Sequence, residues 1–578
     1  MIVPMRHLDL VCLAGDAEAT LERLRSLGVV HLDLVSSAGE GVGRAKGEYA
    51  DAERAVRLIA KARGKREVEV RARSVADVLA VEADMAALKA ERDRLEREIR
   101  IYEPYGDFDP ALAEKLREKG VELRLLGDGK FDIVRAGDGA GQEAQSVRWP
   151  KMRLAKMAEK LSRVENRIRI DLDRLAACDE KAILAGMPAL RDRVCFEQAK
   201  GLLEGHGAVA VVSGWLPSTC EKKLMDVVTS ASATELFERV NAPGWGVLVR
   251  DAEPGENPPT LIEPPKIFRP VKALFDGLGI APAYNESDVS VPFMCYFSLF
   301  FAMLVGDGAY GAIFLAATLA MRRKLPRSWF VLLTAFSSAT VLWGVLSNTW
   351  FGAQIPWLSG LPTVKWLADP SYHNMMLLCF TIGVSHLMLA RIWNGVCRLP
   401  DSTAVAEFGW AGVLLFMYFV TNSIVGIFSG IPPWAFWTFG ASLVAVFGFS
   451  VKPSELKTRG AELGMLPLNI MSALGDIISY VRLFAVGLAS VKVAENFNSM
   501  ATGLVAGVDA VWLKAIMSIA MVAILVVGHG LNLAMAGLSI LVHAVRLNTL
   551  EFSNHKGVSW AGYAFRPFRK TSNKEKQQ

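Results

Sequence analysis

The sequence predicts a two-part protein. An α+β cytosolic dumbbell, built on an antiparallel coiled coil, is fused to an all-α polytopic membrane domain of eight helices whose last two are long and tilted. Hydrophobic residues make up 52% of the 578 residues, and mean hydropathy is +0.28, too apolar for an ordinary soluble protein. The apolar residues are unevenly spread. Residues 1 to about 285 are rich in Arg, Glu, Asp and Lys, whereas long apolar runs dominate from Val291 onward. Within the charged half, two segments repeat apolar residues at three- and four-residue steps.

Composition excludes several functions. The net charge of +5 is modest and the basic residues form no dense tract, which argues against nucleic acid. The seven cysteines form no C-x-x-C pair and no Cys/His cluster with metal-ligand spacing, so no metal is expected. No G-x-x-x-x-G-K-[ST] loop occurs, and no G-x-G-x-x-G lies at a strand-to-helix turn, so no nucleotide site or other cofactor is expected. The N-terminal apolar stretch is short and broken by Asp16 and Glu18, unlike a signal peptide; the soluble half is expected to stay in the cytoplasm.

In the soluble half, HLDLVCL reads as a strand, and DAEATLERLRSL as a helix stopped by Gly28 and followed by a second strand, VVHLDLV. AVAVVSGWLP reads as a strand, and STCEKKLMDVVTSA as a helix capped by Ser218. These distant segments, about 1–45 and 190–250, build one proximal α/β lobe. Two arms lie between them, about 75–102 and 151–180. The first repeats Val81, Met85, Leu88, Leu95 and Ile99, with Arg92 breaking one seam position; the second repeats Leu154, Met157, Leu161, Val164, Ile168, Leu172 and Leu175. This spacing suits an antiparallel coiled coil, and a plain helical bundle equally. Strand-like VELRLL and FDIVRA, around GDGK, place a distal lobe at about 103–150. The shape suits a strut or docking arm.

Residues 286–555 form the membrane domain. Apolar runs lie near 292–321, 329–352, 374–391, 405–430, 433–450, 465–497 and 511–545. The first, broken by Gly306-Asp307-Gly308, is one tilted helix or two short ones. Charge decides: MRRKLPR carries four basic residues and should be cytoplasmic, which requires two spans before it. The later loops then alternate between neutral and basic, giving eight spans with both termini cytoplasmic and a basic cytoplasmic tail at 556–578. Half of the first run is only about 22 Å of helix, short of a hydrocarbon core of roughly 30 Å. The last two helices, about 45 Å or more, must tilt or project.

Arg482 lies in NIMSALGDIISYVRLFAVGLASV, a stretch apolar enough to span. A mid-membrane arginine costs at least about 2.5 kcal/mol, so it marks a functional site by default. The competing readings are snorkelling from a helix end or a structural pair with Asp476. Gly475, Ser479, Ala485 and Ala489 share its face, all small enough for another helix to approach closely. On the last helix His529, Asn532, Ser539, His543 and Arg546 form a polar stripe. It reads as the wall of an aqueous half-channel or as interhelical hydrogen bonding. Glu551 follows at the cytoplasmic end, where solvation alone would account for it.

These residues bring a family into view. SYVRLFAVGLA (479–489) resembles the arginine motif of the membrane-embedded stator subunit of V-type and A-type rotary ATPases, subunit I of the bacterial and archaeal enzymes and homologue of eukaryotic subunit a. GHGLN (528–532) and VHAVRLNTLEF (542–552) resemble its last helix, and GDGAYG (306–311) and GVSHL (383–387) resemble other membrane motifs. LGVVHLD, GWLP, NPPT and PAYNESD are similar to counterparts in its soluble half, so the resemblance covers essentially the whole chain. After Glu551 the run SNHKGVSWAGYAFRPF is only partly similar, and Ala536 lies where some relatives have a carboxylate.

The resemblance implies a subunit that binds no nucleotide itself and works within an ion-translocating ATPase or ATP synthase. Its partners would be a proteolipid ring, peripheral stalk subunits at the cytosolic lobes, the rest of the complex and the bilayer, by family type a bacterial plasma membrane. It implies that Arg482 faces the ring's ion-binding carboxylate and that Arg546 is the second intramembrane arginine. His529, Asn532, Ser539 and His543 become candidates for a half-channel wall, with Ser479 and Glu551 beside them and Asp307 at a mouth. Gly475, Ala485 and Ala489 become ring-packing positions. An arginine stays charged and cannot carry the proton; it can hold a carboxylate ionised. A stand-alone secondary transporter with a cytosolic regulatory domain would instead predict internal repeats in the membrane half, and none is convincing. A membrane tether that recruits partners through its coiled coil would make both arginines dispensable.

Overall fold

A computed structural model describes residues 1–32, 40–64, 71, 73–126, 129–135, 146–147, 149–206, 208–224, 246–353, 364, 366, 372–452, 456–506 and 510–570. Alternating burial along Met5–Leu13 makes this segment strand β1, and helix α1 (Ala17–Leu27) packs Leu21 and Leu24 into the same core. Gly28 ends α1 in the left-handed conformation, φ 60°, where a glycine bears no strain.

Helices α2 (Glu40–Arg63), α3 (Val75–Tyr102), α4 (Pro110–Glu118), α5 (Leu154–Ala176) and α6 (Glu180–Gly201) follow. Ser74 and Asp77 close a reciprocal capping box at the start of α3. Away from the lobe, α3 and α5 meet through Leu88, Leu95, Leu161, Val164, Ile168 and Leu172. Nearer the lobe they are joined by α2 and α6, through Ala52, Ala55, Ile59, Val78, Met85, Leu175 and Ile183. The arm is thus a helix pair widening into a four-helix bundle. Sequence periodicity misses α2 because its buried face is largely alanine. At the tip, β2 (Val121–Leu126) pairs with β3 (Lys130–Arg135) and β4 (Ser146–Val147).

The chain returns through β5 (Glu204–His206), β6 (Val209–Pro217) and β7 (Gly246–Asp251), giving an antiparallel sheet of order β5-β6-β1-β7. Met5 lies opposite Pro217 and Leu13 opposite Val209. Two expectations need correction here. Among the described residues, the strand expected after Gly28 is a single bridge, His31 to Trp215; residues 33–35 lie outside the description. Ser218 does not cap a helix: it is the first residue of a 3-10 turn, Ser218–Cys220, with Pro217 at the cap position. Residues 225–231 of that expected helix also lie outside the described residues.

Helix α7 (Val271–Leu278) leads into the apolar half. The first apolar run there is two helices, α8 (Ser290–Val305) and α9 (Gly308–Ala320), bent by 119°. Gly306 turns left-handed and Asp307 caps α9, accepting from the Ala309 amide at 2.8 Å. Next come α10 (Arg327–Ser347), α11 (Tyr372–Arg398), α12 (Thr403–Ile424), α13 (Pro433–Phe449), α14 (Leu456–Ile478), α15 (Val481–Val505) and α16 (Val511–Ser539). Among the described residues five helices are long and apolar enough to cross a membrane, or six if the bent pair is one span, and α13 is apolar but shorter. The chain is a multi-pass membrane protein. Leu463–Val505 and Val511–Lys556 form continuous apolar stretches of 43 and 46 residues.

The segment read as a basic tail is built into the fold as far as Lys570. Ala561 bridges Ala281 and Ala564 bridges Thr260, both in parallel. Phe565 N–H donates to the Thr260 carbonyl at 3.0 Å, and Phe568 N–H to the Val30 carbonyl at 2.7 Å. The Phe568 ring is buried in the lobe core with Leu24 and Val30. This strap ties the end of the membrane domain to the proximal lobe. Phe568→Ala should cost about 3–5 kcal/mol of local stability. Limited proteolysis of the full chain should then cut within 557–570 sooner, with the tip hairpin unaffected.

Candidate functional site

Between α14 and α15 the helix breaks at Ser479–Tyr480, and Tyr480 is fully buried there. Its hydroxyl meets His386 Nδ1 at 2.9 Å. His386 is stacked between Tyr296 and Phe552, with ring centroids 4.0 and 4.4 Å away. Gly383 makes room for Tyr480, since a Cβ there would lie 2.5 Å from the ring. Packing against three helices therefore fixes the break, and Arg482 leaves from the first turn beyond it.

Arg482 Nη2 lies 3.6 Å from Glu551 Oε1, and Arg546 Nε lies 3.3 Å from the same oxygen. Ser479 Oγ is also 3.3 Å from it. The Glu551 side chain is 5% exposed, against 23% for Arg482 and 54% for Arg546. Glu551 Oε2 and His543 Nδ1 are buried with no hydrogen-bond partner among the described residues. The sequence reading that left Glu551 simply solvated is therefore corrected. Local geometry explains the convergence. After Ser539 the last helix becomes π-helical over Ile540–Ala544 and Leu547–Phe552, then ends in a turn at Ser553–Lys556. Residues i and i+5 point about 140° apart on an α-helix, whereas π-helical turns bring them together. Arg546 and Glu551 are such a pair.

Asp476 does not pair with Arg482. Its Oδ2 lies 3.0 Å from His555 Nε2. Arg391 Nε donates to His555 Nδ1 at 3.1 Å, so Nε2 carries the proton toward Asp476. Arg391 and Arg398 both pair with Glu407, at 3.1 and 3.0 Å. These groups line a cavity of about 480 Å³ together with Asn469, Ser472 and Trp410.

The polar stripe on α16 divides. Asn532 is buried and donates to the Tyr310 hydroxyl at 3.1 Å; that hydroxyl lies 2.7 Å from His529 Nδ1, and His529 Nε2 lies 3.1 Å from Asn498 Oδ1. This is a head-to-tail hydrogen-bond chain across α9, α15 and α16. Ser490 Oγ closes it, donating to Asn532 Oδ1 at 3.1 Å. Ser539 and His543 lie between this network and the arginines, half-buried. Asp307 is buried and satisfied by backbone amides, including Gly352 N–H at 2.7 Å, so it holds the α8–α9 bend rather than standing open at a mouth. Gly475, Ala485 and Ala489 are exposed. The outer side of α16 is also bare and apolar, with Ile519, Val526 and Leu538 more than half exposed.

A V-type ATP synthase subunit I from Borreliella burgdorferi is 31% identical over 381 residues, covering 62% of this chain and 60% of that protein. V-type ATP synthase subunit I 1 of Treponema pallidum is 28% identical over 98% of this chain and all of its own length. The curated relatives that this chain resembles are named as subunit I of V-type or A-type ATP synthases. A-type ATP synthase subunit I of Methanocaldococcus jannaschii is 23% identical over 79% of this chain and 68% of its own. The chain spans less than two thirds of the Borreliella protein's length. No protein-family model matches it.

Sequence reasoning singled out both arginines and the stripe, but not Tyr310, Asn498, Ser490, Tyr480, Arg391, Glu407 or His555. Most of these are ordinary polar residues on apolar helices, and nothing in their own spacing links them. His555 and Arg391 did leave a trace, as ionisable residues at the ends of long apolar runs.

Proposed function

We propose that this chain is the membrane-embedded stator subunit of a rotary V/A-type ATPase or ATP synthase, coupling proton or sodium movement to rotation of a proteolipid ring. The observation that carries the reading is the meeting of Arg482 and Arg546, from two long helices, on one and the same oxygen of the buried Glu551. A fixed positive pair beside an exposed small-residue face is what a passing ring carboxylate would need. It could approach Arg482 across Gly475, Ala485 and Ala489 and exchange its ion for a guanidinium contact.

In this reading the cavity at Asp476 and His555 is the cytoplasmic path, and the His529–Tyr310–Asn532 chain borders the path to the other side. His529 and Arg546 are 17 residues apart, about 25 Å of helix, so the two paths are offset. Arg482, which cannot deprotonate, separates them. The five long apolar helices, both halves of the bent pair and the short α13 together make the eight spans, with both termini cytoplasmic. Residues 1–285 form a dumbbell arm whose lobes would dock peripheral stalk subunits. The deciding experiment is ion pumping by the reconstituted complex carrying Arg482→Ala: assembly with loss of coupled pumping supports the proposal, and retained pumping removes it.

A further inference from the structure

A second cavity, of about 780 Å³, lies where the proximal lobe, α7 and the C-terminal strap meet. Arg191 of α6, Lys272 of α7, and Arg566 and Arg569 of the strap line it, against Asp192 and Asp276. Asp192 is engaged by Arg25 at 3.4 Å, so much of its charge is already balanced inside the lobe. Arg191, Lys272 and Arg566 form no ion pair among the described residues. The groove therefore keeps a positive field, and its cations come from three elements distant in sequence. Gly28 helps to seat one of them, since a Cβ there would lie 3.1 Å from the Arg569 Cβ.

The groove also has a position relative to the membrane. Phe275 of α7 packs edge-on against Phe293 of the first membrane helix, 4.9 Å between centroids, and Gly277 rests on Trp329 at the start of α10. Just before α7, Ile267 is 80% exposed and lies between Lys266 and Arg269. A bare isoleucine flanked by cations suits the boundary between headgroups and acyl chains. The groove thus opens beside the plane in which acidic headgroups lie.

We infer that this groove binds a phosphate-bearing anion, either the headgroup of an acidic phospholipid or a free phosphate compound. Guanidinium groups grip phosphoryl oxygens in a bidentate fork, and an ammonium adds a point charge. An anion held here would cross-link α6, α7 and the strap, and so fasten the arm to the membrane domain. The inference does not depend on the stator reading, because it concerns binding at a different place.

The test uses the purified full chain in nanodiscs of phosphatidylcholine, with or without phosphatidylglycerol, and with or without inorganic pyrophosphate. Hydrogen exchange of residues 558–570 is the readout. Phosphatidylglycerol should slow exchange there, and Arg191→Gln/Lys272→Gln/Arg566→Gln should abolish the slowing. Slowing by pyrophosphate in phosphatidylcholine discs would identify a free phosphate as the ligand. Arg322→Gln/Arg323→Gln, which removes other cytoplasmic-side charge, should leave the slowing intact. Should the triple variant fail to fold, Lys272→Gln alone should weaken it. No slowing by either anion, or slowing that survives in the folded triple or single variant, would overturn the inference.

Discussion

A complex carrying Arg482→Lys in this chain should assemble and still lose coupled ion transport. Lysine keeps the charge but not the planar fork. A guanidinium can hold Glu551 with one nitrogen and offer others outward, whereas an ammonium is a single compact point. A hydrogen bond to a charged group is worth about 1.5–3 kcal/mol, so losing it at the crossing point should slow transport roughly 10–150-fold. In the proposed reading Arg482→Ala should go further, because only the half-exposed Arg546 then stands between the two paths. Assembly should survive both changes, since Tyr480 and His386 hold the helix break, with a 2.9 Å contact and full burial. The measurement is ATP-driven ion uptake set against ATP hydrolysis in proteoliposomes. Near-normal uptake by either variant would contradict a gate at Arg482. Leak without uptake in Arg482→Ala would support one.

The sequence marked the costly residues but did not reveal what satisfies them. Arg482 and Arg546 stand out because charge in an apolar run is expensive. Their shared partner does not: Glu551 sits next to a segment that reads in the sequence as a basic tail, where a carboxylate ordinarily needs no explanation. Only the π-helical turns carry it back under the arginines, and no spacing rule for an α-helix places i and i+5 together. The same limit applies in the soluble half. Heptads of large residues disclosed α3 and α5, whereas the alanine face of α2 was silent. Serine at the start of an apolar segment suggested a cap at Ser218, but strand β6 runs on to Pro217 and shifts the boundary by one residue. The strap was hidden for another reason. Its contacts with Thr260, Ala281 and Val30 are mainly backbone hydrogen bonds, which leave little trace in side-chain pattern.

Glu551→Gln should be the most damaging single change outside the arginines themselves. Glutamine keeps the volume and can still meet Ser479, so packing is nearly unchanged. What goes is the one negative charge that, among the described residues, pairs with both guanidinium groups, at 3.6 and 3.3 Å. Removing one partner of a buried ion pair typically costs about 3–5 kcal/mol, because the other charge is left uncompensated. Here the arginines are 23% and 54% exposed, so the cost should fall at or below the lower end of that range. Most of it should trace to Arg482, the more buried of the two. This yields a further expectation that a merely space-filling Glu551 would not meet. Combining Glu551→Gln with Arg482→Gln should restore much of the lost stability, because the uncompensated charge disappears with its partner. A double-mutant cycle on thermal unfolding of the detergent-solubilised chain should show a coupling within about 0.5–3 kcal/mol. Strict additivity would mean that Glu551 does not hold the arginines. Under the proposed reading, transport should remain lost in the double variant even as stability returns, since the uncompensated charge is gone while the Arg482 guanidinium is still missing.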